Sequence, residues 1–405
     1  MENSFYPVAV TPSVYDLFVM IYADYNATTP MDPRVVEAVS SSFQNVYGNP
    51  ASVQHLIGRQ AADAVDIARL RVAQSISANP RRVVFTSGAT EAINLAIHGI
   101  MYQNSGKTKA RQKHQIMVAA TEHKAVIEAA RHWGDVFGIE FIEIPVNRQG
   151  HISLREFENL LNDDTLLVAV ALANNETGNL HPISELARIT KDRGAIFLTD
   201  ATQGLGKVEI DIKLLNCDFL AFSAHKAYGP KGVGALVGAT YEIDYLQALQ
   251  GGGGQENGIR GGTLNVSGIV GFGEACKLVS EQLVADMEQS RQIRDDFVVR
   301  IKSLVPDLQI NGDLVQGLPN TVNLRFPATD AEAVMTAMPD VAISTGSACQ
   351  SAVPSPSHVL ISMGLSHEEA RECLRFSFGR FSELAENLTL VSKLVSAIKH
   401  VRSFN

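Results

Sequence analysis

The chain has 405 residues, a formal net charge of −9, and a composition that is 45% hydrophobic and 19% charged. Such a composition excludes a disordered chain, and at this length we expect one large domain and a smaller one. The negative charge argues against a broad basic surface for direct nucleic-acid binding. Apolar runs such as residues 166–173 fall well short of the roughly 20 residues that a membrane span requires.

Cysteine usage and the first residues bear on the cellular compartment. The four cysteines lie far apart without a CxxC pair, which is typical of reduced thiols in a cytoplasmic protein. Residues 1–19 lack the positive start and the cleavage pattern of a signal peptide. We interpret them as a loosely ordered extension, or as residues upstream of a start at Met20. The histidines show no metal-ligand spacing, so no metal is expected.

Between about residues 82 and 238, short β-rich runs alternate with amphipathic helical stretches, which predicts a mostly parallel sheet covered by helices. The first five runs end in polar or small residues. Because ligands of open α/β sheets bind outside the carboxyl ends of the strands, we expect these five endings to face one crevice. The candidate strands are RVVFT (82–86), QIMVAA (115–120), TLLVAVAL (165–172), AIFLTD (195–200), CDFLAFS (217–223) and GALVG (234–238).

Two of these strand ends lead into helices. In FTSGATEAINLAI, residues 85–97, the free N–H groups of the first helical turn and the Thr90 hydroxyl favour a phosphate. Thr90 with Glu91 could instead simply cap the helix. His123 opens a helix after the next strand. It is either an ordinary helix-start histidine or a ring that stacks on a flat cofactor and moves protons.

Two later strand ends carry opposite charges, Asp200 and Lys226. Alone, such an aspartate is more often a cap or a solvated strand end. Together the two suit a pyridine cofactor, because a carboxylate keeps the ring nitrogen protonated and a lysine holds the aldehyde as a Schiff base. Lys231 is the rival lysine, but its place in a Gly/Pro turn favours a solvated charge.

A glycine-rich run, residues 251–263, follows the sheet region. It is either a flexible connector or a binding loop lined by backbone. From about residue 271, long helical stretches alternate with the strand-like NTVNLRF (320–326) and VAIST (341–345). This alternation predicts a separate α+β domain.

The C-terminal part contains a candidate nucleophile and a candidate anion-binding residue. Cys349 lies among small and polar residues, which indicates an exposed loop where a thiol can react once its pKa is lowered or it is deprotonated. Arg375 lies in a short apolar strand and needs an anion there, either a substrate carboxylate or a structural ion pair. Apolar or helical neighbours predict burial of Cys217, Cys276 and Cys373.

Together these segments resemble the cysteine desulfurases, pyridoxal-phosphate enzymes of the aminotransferase-like fold. The resemblance runs from about Tyr22 to the last helix, and several of its motifs are specific on their own. They are YADYNATTPMDPRV, FTSGATEAINLAI, TEHKAV, NNETG, DATQGLGK, SAHKAYGPKGVGAL, GIRGGTLN, STGSACQSA and RFSFGR, in this order.

The resemblance implies an α/β fold, fold type I of the pyridoxal-phosphate transferases. Its large domain has a mostly parallel seven-stranded sheet and stands beside a smaller α+β domain. The large, cofactor-binding domain would comprise residues 36–275. Residues 20–35 together with 276–405 would form the small domain, which carries the active-site cysteine loop.

The resemblance also implies a role for each matching residue. Lys226 would bond the cofactor aldehyde, Asp200 would pair with the pyridinium nitrogen, and Gln203 would hydrogen-bond the phenolic oxygen. His123 would stack on the ring and work as acid and base, and Cys349 would take the sulfur.

The remaining implied contacts concern the substrate carboxylate and the cofactor phosphate. Asn175 and Arg375 would hold the carboxylate. Thr263 would reach the phosphate from the other subunit of a homodimer. The phosphate contacts within the chain would come from Ala89, Thr90, Ser223 and His225.

The implied activity is the conversion of L-cysteine to L-alanine in the cytoplasm, with the sulfur passing as a Cys349 persulfide to a protein acceptor. The Cys349 segment has the length of the long-loop class. The chain stops at KHVRSFN, without the tail that helps other members to dock the iron–sulfur scaffold. Transfer RNA thiolation and DNA phosphorothioation are therefore expected destinations beside iron–sulfur cluster assembly.

Two alternatives stay open beside the desulfurase. One is a selenocysteine lyase or another lyase of the same fold, for which Cys349 would be less central. The other is a catalytically silent partner that uses the fold to bind other proteins. The joint presence of Lys226, Asp200 and Cys349 argues against the silent partner.

Overall fold

The computed structural model describes residues 20–106, 112–346 and 356–404. Its strands are β1 (Ile21–Tyr22), β2 (Val83–Thr86), β3 (Gln115–Ala119), β4 (Glu140–Ile144), β5 (Thr165–Ala169), β6 (Ile196–Asp200), β7 (Phe219–Ser223), β8 (Gly234–Gly238), β9 (Gln309–Asn311), β10 (Thr321–Arg325), β11 (Val341–Ala342) and β12 (Cys373–Ser377). Its α-helices are α1 (Pro33–Asn45), α2 (Leu56–Gln74), α3 (Ala89–Ser105), α4 (Lys124–Phe137), α5 (Leu154–Leu160), α6 (Ile183–Asp192), α7 (Ile212–Leu215), α8 (Val266–Leu304), α9 (Ala331–Thr336), α10 (His358–Ser362), α11 (His367–Arg371) and α12 (Glu386–Arg402).

Local sequence signals explain where individual helices begin. α1 follows Asp32, whose side chain accepts a hydrogen bond from the backbone N of Arg34 at 3.0 Å. Pro33 is its first residue, a position where the missing N–H costs no helical bond. α11 begins with a capping box, in which the side chains of Ser366 and Glu369 each accept from the other residue's backbone N–H.

The central sheet has seven strands in the order β2-β8-β7-β6-β5-β3-β4. Strands β7, β6, β5, β3 and β4 are parallel, whereas β8 is antiparallel to both β7 and β2. Because β2 and β7 are each antiparallel to β8, they run in the same direction. The carboxyl ends of β2, β3, β5, β6 and β7 therefore lie at one edge of the sheet. The prediction of a mostly parallel seven-stranded α/β sheet is confirmed. The six candidate strands are all present, and β4 is the strand that the candidates lacked.

Helices cover both faces of this sheet. On one face, α2, α6 and α8 bury residues such as Val72, Leu186 and Phe272. On the other face, α3 and α4 bury residues such as Ile97 and Val126. Because helices cover both faces of the sheet, β3, β5 and β7 and even the edge strand β2 are buried along their whole length.

A smaller antiparallel sheet, in the order β12-β10-β9, packs against the C-terminal part of α8 and against α12. Its core contains Phe297 of α8, Phe376 of β12 and Leu394 of α12. β1 pairs in parallel with β11. This pairing brings the N-terminal segment, residues 20–32, to this part of the molecule. Since α8 contributes to both cores, the proposed domain division at residue 275 falls inside one continuous helix and stays a prediction.

The glycine-rich run is held against the large sheet by two ion pairs. Glu256 is buried, pairs with Arg69 at 2.6 Å and accepts from the backbone N of Phe85 at 2.7 Å. Arg260 donates to Glu91 at 2.7 Å. The run is therefore anchored at Glu256 and Arg260 beside β2 and α3, which favours an ordered loop over a flexible connector.

The prediction of buried thiols at Cys217, Cys276 and Cys373 is confirmed. Burial raises the pKa of each of these thiols to about 12, so each is a protonated, unreactive thiol near neutral pH. Cys349 lies outside the described residues. None of the helices within the described ranges is long and apolar enough to cross a membrane.

Candidate active site

A cavity of about 340 Å³ lies at the shared carboxyl edge of the sheet. Its walls include residues that follow β2, β3, β5, β6 and β7, which is the crevice that the strand endings predicted. Thr263 is not among the described wall residues, and Cys349 lies outside the described part of the chain. The predicted site residues that the fold brings together here are Ala89, Thr90, His123, Asn175, Asp200, Gln203, Ser223, His225, Lys226 and Arg375.

Lys226 and His225 follow β7 and both contact the N-terminal segment. The Lys226 Nζ donates to the backbone oxygens of Asn26 and Ala27, each at 2.6 Å. Nδ1 of His225 lies 3.1 Å from Thr28 Oγ1. Burial, together with the charge of nearby lysines, lowers the pKa of His225 to about 4. The His225 ring is therefore neutral at pH 7.

Asp200 and His123 each make a local backbone bond as well as lining the cavity. Asp200 Oδ1 accepts from the backbone N of Thr202 at 2.9 Å, and His123 Nδ1 accepts from the backbone N of Ala125 at 3.1 Å. Because Nδ1 accepts, the neutral His123 ring carries its proton on Nε2. Burial lowers the pKa of His123, and the charge of Lys226 adds to this effect, while Asp200 opposes it.

The first residues of α3 form one wall of the cavity. The helix begins after Gly88, a residue that has no side chain to cap it. Ala89 donates its backbone N–H to Ser223 Oγ at 2.8 Å. Thr90 lies within the helix and does not cap it, whereas the Glu91 part of the capping alternative is present, because Glu91 Oε2 accepts from the backbone N of Ser87 at 2.7 Å. Beyond the Ala89 N–H, the amino end of α3 offers the N–H groups of its first turn and a positive dipole end to an anion.

Arg375, on β12, is buried and already has an anionic partner. Its Nη2 donates to Asp24 Oδ1 at 2.6 Å and its Nη1 to the backbone oxygen of Asn175 at 3.2 Å. Its Nε is buried without a partner among the described residues. The structural ion pair, one of the two alternatives for this residue, is thus present, and it brings Asp24 into the cavity wall.

Asn26 was not predicted as a site residue, yet it is the main hydrogen-bond junction of the cavity. Its backbone oxygen accepts from Lys226 and from Gln203 Nε2, the latter at 2.9 Å. Its side chain donates to Thr321 Oγ1 at 2.8 Å, and Asn320 donates to it at 3.2 Å. The motif YADYNATTP contains this residue, but nothing local in the motif indicates where its amide points.

Two buried carboxyl groups beside the cavity were also missed. Glu122 Oε2 accepts from the backbone N of His123 at 3.2 Å, and burial followed by the charge of Asp200 raises the pKa of Glu122 well above its usual range. Burial likewise raises the pKa of Glu176. Both lie in the motifs TEHKAV and NNETG, whose predicted site residues are only His123 and Asn175.

Glu176 contacts Gly346 and Ser357, two residues that lie on either side of Cys349 in the sequence. Ser357 donates its hydroxyl to Glu176 Oε2 at 2.5 Å. Gly346 packs so closely that a Cβ there would lie 2.6 Å from the same oxygen. Residues 347–355 lie between these two contacts in the sequence. Within the described ranges, no group of three or more His, Cys, Asp or Glu side chains could hold a metal ion.

Comparisons with known proteins agree with the motifs. The model of the family described as Aminotransferase class-V matches residues 21–389. The chain is 42% identical over 386 residues to the cysteine desulfurase IscS of Pectobacterium carotovorum subsp. carotovorum (strain PC1), with 94% of this chain and 93% of that protein covered.

Two solved structures are similar along most of the chain. A NifS-like protein aligns with a TM-score of 0.86 at 31% identity, covering 94% of this chain and 100% of that one. SspA in complex with cysteine aligns with a TM-score of 0.76 at 31% identity, covering 90% and 100%. Members of this family are pyridoxal-phosphate enzymes. The chain therefore belongs to the class-V aminotransferase family and, within it, to the cysteine desulfurases.

Proposed function

We propose that this cysteine desulfurase converts L-cysteine to L-alanine in the cavity and passes the sulfur, as a persulfide on Cys349, to an acceptor protein. The observation that carries the proposal is the convergence of an amine, a carboxylate, an imidazole and a guanidinium on one cavity of about 340 Å³. They belong to Lys226, Asp200, His123 and Arg375. Asp200 and Arg375 lie on strands β6 and β12, and Lys226 and His123 follow β7 and β3.

The cavity suits pyridoxal phosphate. The amino end of α3 offers N–H groups to a phosphate, and the same cavity contains an amine that can bond an aldehyde. Four wall residues, Thr121, Thr202, His358 and Arg375, each keep a buried side-chain polar atom without a partner among the described residues. Buried polar groups without partners are costly, so such a wall is typical of a site built for a polar ligand.

In the proposed arrangement four wall residues contact the cofactor ring and its aldehyde. Lys226 bonds its aldehyde, Asp200 pairs with its pyridinium nitrogen, Gln203 donates to its phenolic oxygen and His123 stacks on its ring. When bound, the cofactor supplies an electron sink that makes the α-proton of the amino acid labile. The phosphate is held by Ala89, Thr90, Ser223 and His225.

The substrate is held by its carboxylate. Asp24 fixes the Arg375 guanidinium against the cavity wall. The substrate carboxylate binds those N–H groups of the same guanidinium that do not donate to Asp24. Asn175 binds the same carboxylate. Lys226 and His123 move protons at the substrate, since both side chains line the cavity.

Sulfur transfer is the task of Cys349. Its thiolate attacks the substrate sulfur, so that a sulfur–sulfur bond forms and the carbon–sulfur bond breaks. The electron pair of the broken bond stays with the substrate carbon, which takes up a proton and leaves as the methyl group of alanine. A thiol reductant or an acceptor protein then removes the terminal sulfur from Cys349.

A second copy of the chain is the partner that completes the site. Thr263 is absent from the described walls of the cavity in this protomer, and we infer that it reaches the phosphate of the other one. The large apolar side chains of Phe43, Tyr47 and Leu56 are 69%, 72% and 62% exposed. Exposed large apolar side chains so close together in the sequence favour a protein interface. The free buried thiols fit a cytoplasmic protein.

The proposal is tested with the purified, cofactor-loaded protein, L-cysteine and a thiol reductant. We expect alanine and sulfide in equal amounts, because each turnover breaks one carbon–sulfur bond. Alanine without sulfide, or no alanine at all, would contradict the proposal. A much faster reaction with L-selenocysteine than with L-cysteine would instead favour the selenocysteine lyase.

His123→Asn is expected to slow alanine formation by about 10²- to 10⁴-fold, the usual contribution of a general acid–base group. The asparagine side chain can still accept from the Ala125 N–H, so the start of α4 is kept. The wild-type ring is neutral above its lowered pKa, and activity should fall as the pH drops through it. The measurement is the pH–rate profile of both proteins.

The matched control for this prediction is His132→Asn, on the exposed side of α4. This variant should keep both the rate and the pH profile of the wild type. An unchanged rate in His123→Asn would show that the ring has no part in proton transfer.

A further inference from the structure

Lys207, the last residue of the motif DATQGLGK, is a buried lysine to which the proposed reaction assigns no task. Its side chain is only 7% exposed. Its Nζ donates to Asn26 Oδ1 at 3.0 Å and to Gln203 Oε1. Both partners are neutral amide oxygens, so a salt bridge does not explain why an amine is buried here.

These contacts determine how the Gln203 amide is oriented. A glutamine amide can turn by half a rotation, which exchanges its oxygen and its nitrogen. In this site the oxygen faces the Lys207 amine and the nitrogen donates to the Asn26 backbone oxygen at 2.9 Å. The reverse orientation would place two oxygens against each other and two donors against each other. One N–H of the Gln203 amide is then left for another acceptor in the cavity.

The same network reaches the catalytic amine. The Asn26 backbone oxygen that accepts from Gln203 also accepts from Lys226 Nζ at 2.6 Å. Burial, and then the charges of Lys226 and Arg375, lower the pKa of Lys207 well below its usual range. The hydrogen bonds place Lys207 in one continuous network with two residues of the site, Gln203 and Lys226.

We propose that Lys207 is a positioning residue, which holds the Gln203 amide so that its remaining N–H faces the phenolic oxygen of pyridoxal phosphate. The inference rests on the proposed function, since Gln203 is assigned to that oxygen there. Lys207 acts through Gln203 and does not contact the reacting atoms. A hydrogen bond to the phenolic oxygen withdraws charge from it, which makes the neighbouring nitrogen of the cofactor–lysine linkage harder to protonate.

The test is a spectrophotometric pH titration of the bound cofactor in the absence of substrate. Losing a hydrogen bond to a charged oxygen is worth about one pH unit in the midpoint. We expect Lys207→Met and Gln203→Ala each to raise the midpoint by about this amount. In the double variant the midpoint should lie where Gln203→Ala alone places it, because the lysine acts only through the glutamine.

Additive shifts in the double variant, or an unchanged midpoint in Lys207→Met, would overturn the inference. Lys207→Ala, which removes the same amine without a bulky replacement, must shift the midpoint in the same direction. Lys207→Arg, which keeps N–H donors at this position, should shift it less. Lys213→Met, at an exposed lysine nearby, controls for a general effect of lost charge.

The outcome separates this inference from the proposed function. If Gln203→Ala leaves the midpoint unchanged while the wild type still forms alanine and sulfide from L-cysteine, the positioning role is wrong and the desulfurase stands. If the wild type forms no alanine although the midpoints move as expected, the proposed activity is wrong and the contact between Gln203 and the cofactor stands.

Discussion

Lys226→Ala is expected to lower the rate of alanine formation from L-cysteine by about 10³-fold or more, the scale on which residues that act in the reaction itself are felt. The amine of Lys226 is placed at the cavity wall by two backbone oxygens of the N-terminal segment, Asn26 and Ala27. Alanine cannot bond an aldehyde and cannot carry a proton. Both tasks therefore disappear with one side chain.

The measurement combines alanine formation with borohydride treatment. Borohydride should fix the cofactor covalently to the wild-type peptide that contains Lys226, and the variant should bind the cofactor only noncovalently. Lys231→Ala is the matched control, because Lys231 lies five residues further along and is exposed. A labelled peptide at Lys231 in the wild type would show that the wrong lysine had been chosen.

Cys349→Ser is expected to abolish sulfide release and to lower alanine formation by about 10³-fold, since a serine hydroxyl near neutral pH is a poor nucleophile compared with a thiolate. Cofactor binding should remain, because the predicted cofactor contacts within the chain do not include this residue. The measurement is alanine and sulfide from L-cysteine, with the mass of the peptide that contains residue 349 after a single turnover. In the wild type this peptide should gain one sulfur atom.

Cys373→Ser is the control for a general effect of lost thiols. The Cys373 thiol donates to the backbone oxygen of Glu369 at 3.2 Å and accepts from Asn311 at 3.3 Å, and a hydroxyl can keep both contacts. This variant should retain activity. Alanine formation at the wild-type rate in Cys349→Ser would show that another group accepts the sulfur.

The site was predictable where a residue's role follows from its immediate neighbours. Lys226 and Asp200 were selected because each lies at the carboxyl end of an apolar strand, and the fold does place both in one cavity. Lys231 was set aside because it lies in a Gly/Pro turn, and it is exposed. Asn26 and Lys207 were missed, because their importance lies in partners far away in the chain.

The sequence by itself determined the six candidate strands and the burial of three cysteines, because each depends on patterns within a few residues. It also determined the mostly parallel arrangement of the sheet, because strands alternate with helices along the chain. Only the tertiary structure decided which polar groups meet. Arg375 pairs with Asp24 across 351 positions, and Lys226 reaches the Asn26 oxygen across 200. Such pairs are brought together by sheet order and by the packing of the N-terminal segment, and no local pattern encodes these long-range contacts.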